Sequence, residues 1–165
     1  FRVCSGAVKT MAFYSDCPLG LKEGCFNMSD ALVFLRERQE SGGYNRLHGL
    51  RVLTVREGYA EVCLPAGESI LNPLGSVHGG AIYTLCDVAA GTAAASHGRV
   101  GVTLSANVNY LRPGLAGEAL TASTREIKAG RQTAVYEVEV RQQERILATA
   151  VFTMYYVDYP MEKLK

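Results

Sequence analysis

Asn72-Pro-Leu-Gly-Ser-Val-His78-Gly79-Gly80, running on into Ala81-Ile-Tyr-Thr-Leu-Cys-Asp87-Val-Ala-Ala, joins a loop broken by proline and glycine to a run without proline. In that run the apolar and small positions Ile82, Leu85, Val88, Ala89, Thr92 and Ala93 recur at helical spacing. The amide N–H groups of Gly79, Gly80 and Ala81 then stand at the positive end of a helix dipole, free to receive an anion or a developing oxyanion. Glycine also lets a substrate approach the backbone closely. Asp87 falls in the middle of this mostly apolar helix, beside Ala89, Ala90 and Gly91. It is either a carboxylate on a solvated face or one that is paired or used, because helix interiors near a core seldom keep an aspartate otherwise. Gly79 and Asp87 are eight residues apart, which is ~12 Å along one axis at ~1.5 Å per residue. An attacking group must come within ~3–3.5 Å of the reacting carbon. Serving one carbonyl together therefore takes two copies of the helix, and an antiparallel pair across a two-fold axis supplies them, with two equivalent sites per dimer.

An asparagine, a histidine six residues later, Gly-Gly directly after it and an aspartate nine residues after the histidine form a combination that resembles the hotdog-fold acyl-CoA thioesterases, specifically the phenylacetate-pathway branch and its relatives. The resemblance runs from Leu50 to Val157 and takes in Val102-Thr-Leu-Ser105-Ala-Asn-Val-Asn-Tyr-Leu-Arg-Pro-Gly114. It implies an antiparallel sheet wrapped around a long central helix, and an acyl-CoA thioester held in a tunnel at a homodimer interface, with dimers commonly paired into a homotetramer. It also implies roles. Asn72 assists in holding the carbonyl, His78 orients the thioester end or the loop, and Ser105, 27 residues after the histidine, helps to place the attacking water. Gly79 supplies the N–H donor with Gly80 beside it, and Asp87 of the partner acts as general base or as nucleophile. Each residue also has a plain reading: Asn72 as a turn opener before Pro73, His78 as a cap of its own loop, Ser105 as the polar face of a strand. Because CoA carries phosphates, Arg112, Lys128 and Arg131, which fall at loops or strand ends, are candidates for its binding, with a solvated turn as the alternative for each. No cofactor is implied beyond the substrate's own CoA.

The chain has 165 residues, 48% of them hydrophobic, with 17 Lys and Arg against 16 Asp and Glu. That is enough for one domain with a real core and too little for two ordinary ones. The balanced charge, with no block of one sign, excludes an electrostatic case for nucleic acid, and no apolar run is long enough to span a bilayer. Cys4, Cys17, Cys25, Cys63 and Cys86 show neither metal-ligand spacing nor a disulfide framework, so a reducing, cytoplasmic setting and no metal site are expected. Residues 1–27 lack periodicity and the features of a signal peptide, and are expected to be an extension outside the domain. A single domain is then expected over 28–157 and a tail over 158–165.

Ser29 or Asp30 is placed to cap a short helix through Leu32, Val33 and Leu35 that Gly42-Gly43 would end. From Leu50 the period becomes two, with Leu50, Val52 and Thr54 on one side, and Glu57-Gly58 turns the chain into Tyr59–Leu64. After the long helix come strands over 100–111, 119–128, 133–141 and 145–157. Strands on either side of one helix argue α+β. Two other readings have to be weighed. A hydratase or dehydratase of acyl thioesters on the same fold places its histidine in a different, proline-rich loop. A non-catalytic acyl-CoA sensor needs a DNA-binding helical domain, for which the residues before the first strand leave too little room and too little basic charge.

Overall fold

The period-two stretches fold into one antiparallel sheet, and the long apolar run folds into the helix that this sheet wraps. The computed structural model describes residues 28–164. In chain order these form α1 (Met28–Ser41), α2 (Gly43–Leu47), β1 (Arg51–Arg56), β2 (Tyr59–Leu64), α3 (Gly79–Ala95), β3 (Gly101–Tyr110), β4 (Leu120–Ala129), β5 (Thr133–Gln142) and β6 (Arg145–Tyr156), with 3-10 turns at Glu68–Ile70 and Met161–Lys163. The strands lie in the order β1-β2-β4-β5-β6-β3. The chain therefore leaves the sheet after β2, crosses its face as α3 and re-enters at the far edge as β3. Helix α3 touches all six strands. This is the α+β hotdog arrangement that the resemblance implied.

Side-chain alternation explains how the helix is held. In β5 the inward positions Ala134, Tyr136, Val138, Val140 and Gln142 are all buried, while their neighbours are half-exposed. Helix α3 answers with small residues, Ala89, Ala90, Ala93 and Ala94, fully buried against the sheet, and with Ile82, Leu85 and Val88 filling the wider spaces. Three polar side chains are buried here, Thr92, Thr124 and Gln142, and each is satisfied; Thr124 Oγ1 accepts from the Ala60 N–H at 2.8 Å. The Thr92 hydroxyl donates to the Val88 carbonyl at 2.6 Å. The Gln142 amide donates to the carbonyls of Leu115 and Glu118 and accepts from the Leu115 N–H, pinning the loop between β3 and β4.

Register shifts break the simple alternation in four of the strand pairings, and those in β1 and β3 bear on what faces the helix. In β1 the register passes from Val52↔Val62 to Thr54↔Glu61, so that Leu53 is an extra residue and the inward set becomes Val52 and Val55 rather than Val52 and Thr54. In β3 it passes from Thr103↔Met154 to Ser105↔Thr153. Met154 is buried and Thr153 is not, so Thr103 faces the helix and Ser105 faces away from it.

Helix α1 contains Ser29 and Asp30 instead of starting after them, and Gly43 begins a further helical turn where an end was expected. The expected extension over 1–27 lies outside the described residues. Of the expected tail, Met161 is buried against Leu35 and Ala95 in a small second core. No helix among the described residues is long and apolar enough to cross a membrane.

The two sheet edges differ. Along β1, Arg36 donates to the carbonyls of Val52 and Leu53 at 3.0 and 3.1 Å, and Glu40 accepts from the Val52 N–H at 2.9 Å. One face of α1 thus satisfies backbone groups that an edge strand would leave open. An Arg36→Ala, Glu40→Ala double variant is expected to lose about 1–3 kcal/mol of stability, measured by urea unfolding. Among the described residues strand β3 pairs on one side only; Val102, Leu104 and Tyr110 on it, and Leu111 just beyond it, are exposed.

Candidate active site

The loop before α3 is built by its own side chains. Asn72 Oδ1 accepts from the Leu74 and Ser76 N–H groups at 2.9 and 3.2 Å, its Nδ2 donates to Ser76 Oγ at 2.8 Å, and Gly75 takes the turn position at φ 76° that only glycine fills without strain. Val77 N–H then bonds to the Gly114 carbonyl at 3.0 Å, which docks the Arg112-Pro113-Gly114 corner onto the loop. A Cβ on Gly114 would meet Val77 at 3.0 Å, so this approach needs glycine.

His78 is the N-cap of α3. Its backbone is extended, and Nδ1 accepts from the Gly80 N–H at 2.8 Å. That bond assigns the ring hydrogen of the neutral imidazole to Nε2, which leaves Nε2–H as a donor on an exposed ring. A Cβ on Gly80 would stand 2.9 Å from Nδ1, so the second glycine makes room for the cap. The Ala81 N–H is taken by the His78 carbonyl at 2.9 Å. Of the three amides expected to be free, Gly80 and Ala81 are therefore occupied; among the described residues none accepts from Gly79 N–H. The helix offers one donor at its positive end.

A cavity of about 340 Å³ opens beside Gly79, lined by Asn72, Ser76, Ile82, Tyr110, Leu111 and Arg112 among others. Asp87 is on the same helix two turns further on. It is half-exposed, and Thr103 Oγ1 donates to its Oδ1 at 2.5 Å. The β3 bulge decides that Thr103 makes this contact and Ser105 does not. Sequence reading missed Thr103 because a bulge leaves no trace in an alternating run of exposed residues. Nothing in the sequence alone pairs Thr103 with Asp87, 16 residues before it.

The three candidate cations are not brought together in this chain. Arg112 Nη1 donates to the Ile146 carbonyl at 2.9 Å, and the side chain lines the cavity by Gly79. Lys128 is near the end of β4 and Arg131 is in the β4–β5 turn, which Arg99 ties to the other end of α3 through the carbonyls of Gly130 and Arg131. That is the length of a 17-residue helix away, ~25 Å. His97, to which sequence gave no role, bonds Glu126 at 2.6 Å near that same far end.

Cys86 adjoins Asp87 in sequence but is fully buried. Burial, and secondarily the Asp87 charge, push its thiol up to about 12, so no thiolate forms near neutral pH. Cys86→Ala is expected to keep turnover within a few-fold of wild type. Loss of all turnover in a folded variant would make the cysteine the nucleophile.

Known proteins share this frame. The thioesterase superfamily profile matches residues 74–149. The acyl-coenzyme A thioesterase PaaI of Escherichia coli is 37% identical over 101 residues, 61% of this chain and 72% of that one. The structure of a conserved protein from Pseudomonas aeruginosa superposes with a TM-score of 0.70 at 36% identity, covering 74% of this chain and 98% of that one. A hypothetical thioesterase of Streptococcus pneumoniae, solved with coenzyme A, superposes with a TM-score of 0.63 at 36% identity over 66% of this chain and 88% of its own. Versions of that streptococcal protein with alanine in place of an aspartate, and in place of a threonine sixteen positions later, have also been solved. That separation equals the one between Asp87 and Thr103. A chain that carries the motif, the fold and this much identity over most of the length of these proteins belongs to the thioesterase superfamily, in its PaaI-like hotdog branch, and is a thioester hydrolase.

Proposed function

We propose that the protein hydrolyses the thioester of an acyl-CoA to the free acid and CoA, at a site shared between two copies of the chain. The observation that carries this reading is the separation of two functional groups on one rigid helix: a single available N–H at Gly79, and a carboxylate at Asp87 held by Thr103. The ~12 Å between them along the axis is too far for one thioester carbon and suits an antiparallel partner helix. The unpaired β3 edge, with Val102 and Leu104 exposed, supports assembly on that side of the molecule, while α1 blocks the β1 edge. A homodimer is the smallest active unit, and paired dimers give a tetramer.

In this reading the thioester oxygen accepts from Gly79 N–H, where the helix dipole stabilises the charge that develops on it. Asp87 of the other copy takes the proton from water or attacks the carbonyl carbon itself, with Thr103 fixing its rotamer. His78 and Asn72 act mainly by shape. His78 caps the helix with Nδ1 and presents Nε2–H to the thioester end; Asn72 holds the loop and keeps one amide hydrogen for the substrate. Ser105 faces away from the helix of its own chain, so any part it plays in placing water is played across the interface. Arg112 stands at the mouth beside Gly79. An antiparallel partner brings its own far-end cations, Lys128 and Arg131, toward the same mouth, where the CoA phosphates need charge. The structure of the streptococcal relative solved with coenzyme A supports the CoA class, and the substrate brings that CoA itself.

The test is a panel of short, medium, long and aromatic acyl-CoAs, followed by release of free thiol. Turnover of at least one class is expected. A folded protein that releases thiol from none of them refutes the reading.

A further inference from the structure

The Gly79–Gly80 peptide unit is gripped at both ends. Its N–H donates to His78 Nδ1 at 2.8 Å, and its carbonyl accepts from Tyr110 Oη at 3.2 Å. We propose that Tyr110 is a positioning residue of the active site: with the His78 cap it locks this peptide plane, which meets the plane of the Gly79 N–H donor at the Gly79 Cα, and so restrains the backbone joint about which that donor could turn, while Ala81 and Ile82 N–H hold the His78 carbonyl on the donor's own plane. The inference rests on the thioesterase reading above and adds a residue to it.

The first turn of α3 is the part of the helix with least conformational restraint, since two adjacent glycines begin it and glycine loses more freedom on ordering than any other residue. A donor useful for an oxyanion must nevertheless be aimed in advance. Tyr110 meets that need from outside the helix. It is the last residue of β3, and the bulge after Thr103 puts it on the inward face with Ala106 and Val108, both packed against the core. Its ring covers Gly79 closely. A Cβ built on Gly79 would meet the ring's Cε1 at 3.4 Å and Cζ at 3.5 Å, in ordinary contact, so the ring lies directly over this residue.

The hydroxyl bond is not needed to complete the helix. At a helix N-terminus the groups left without partners are N–H groups, not carbonyls. Nor is Tyr110 a core residue, for it is 52% exposed and forms one wall of the cavity beside Gly79, facing the Asn72–Ser76 loop. Desolvation, then its neighbours Cys86 and Tyr83, raise the pKa of its phenol, so the hydroxyl keeps its proton and remains a donor near neutral pH.

The experiment compares wild type, Tyr110→Phe and Tyr110→Ala on the best acyl-CoA of the panel, with a thermal unfolding midpoint for each. Tyr110→Phe keeps the ring and removes only the grip on the carbonyl. It is expected to lose about five- to tenfold in kcat, the effect of one hydrogen bond, with KM changed by less than about twofold and an unfolding midpoint close to wild type. Tyr110→Ala also removes the cavity wall, and is expected to lose more kcat and to change the rank order of acyl chains. A residue of structural value alone would lower the midpoint and leave the kcat of the folded protein intact. Unchanged kcat in Tyr110→Phe, or a loss confined to KM, overturns the proposal while the thioesterase reading stands. A wild-type protein inert toward every thioester overturns both.

Discussion

The Asp87→Asn protein is expected to fold and to keep the assembly state of wild type, to bind acyl-CoA with little change in KM, and to lose ~10²–10⁴-fold in kcat, the contribution of general-base assistance. If the carboxylate is the nucleophile, the loss is larger. Asparagine is the right probe because of the geometry around the side chain. The contact with Thr103 is a hydroxyl donating to Oδ1, and an amide oxygen also accepts that bond, though more weakly than a charged carboxylate. Shape and rotamer are kept; the charge and the basic lone pairs go. Steady-state thiol release with a CoA thioester reads kcat and KM together, and gel filtration reads assembly. Near-normal kcat would leave Asp87 as a helix-face carboxylate and remove the central residue from the mechanism.

What the amino-acid pattern made legible follows from which physical signals are periodic. The helix was readable because burial recurs every three to four residues, and Ile82, Leu85, Val88, Ala89, Thr92 and Ala93 are all buried in α3. The ends of the last four strands were readable to within one residue, since turn residues such as Pro113, Gly130 and the Gln142-Gln143-Glu144 segment interrupt alternation sharply. The order of strands was not. Nothing in β2 says that its neighbour is β4, or in β3 that it pairs with β6 across the whole sheet; those choices are made by long-range packing about α3.

The candidate site divides in the same way. The loop, the helix start and Asp87 are consecutive in the chain, so their relation could be computed from helix rise alone. Three features depended on side-chain placement instead. The His78 ring turns back onto Gly80 and consumes an amide that the helix dipole seemed to offer. The extra residue in β3 exchanges Ser105 for Thr103 beside Asp87. The crossing of β3 to the far edge carries Tyr110 to Gly79, 31 residues away in sequence. Each is a tertiary event without a local signature, and together they decide which groups can act.

Replacing Gly79 by proline tests the donor and the sharing of the site at once. Proline at the first position of a helix removes the N–H there and little else, because its φ is already helical and no intrahelical bond is lost. The residue before a proline must be extended, and His78 already is, with φ −64° and ψ 137°. The nearest neighbour of an added Cβ, Tyr110 at 3.4 Å, is in ordinary contact. The Gly79→Pro protein is therefore expected to fold and to lose ~10²–10³-fold in kcat, as when one oxyanion donor is deleted. Mixed with Asp87→Asn and allowed to exchange subunits, it should recover activity that neither variant has alone. In a mixed dimer one site combines an intact Gly79 from the Asp87→Asn chain with an intact Asp87 from the Gly79→Pro chain, and the other site carries both defects. At equal amounts about half of the dimers are mixed and one of two sites in each is whole, so about a quarter of wild-type activity should return. A site built within one chain allows no such rescue, because every chain in the mixture is defective. Activity that stays at the level of the separate variants, with exchange shown by mass spectrometry of the intact dimers, would place donor and carboxylate in different reactions or in one subunit.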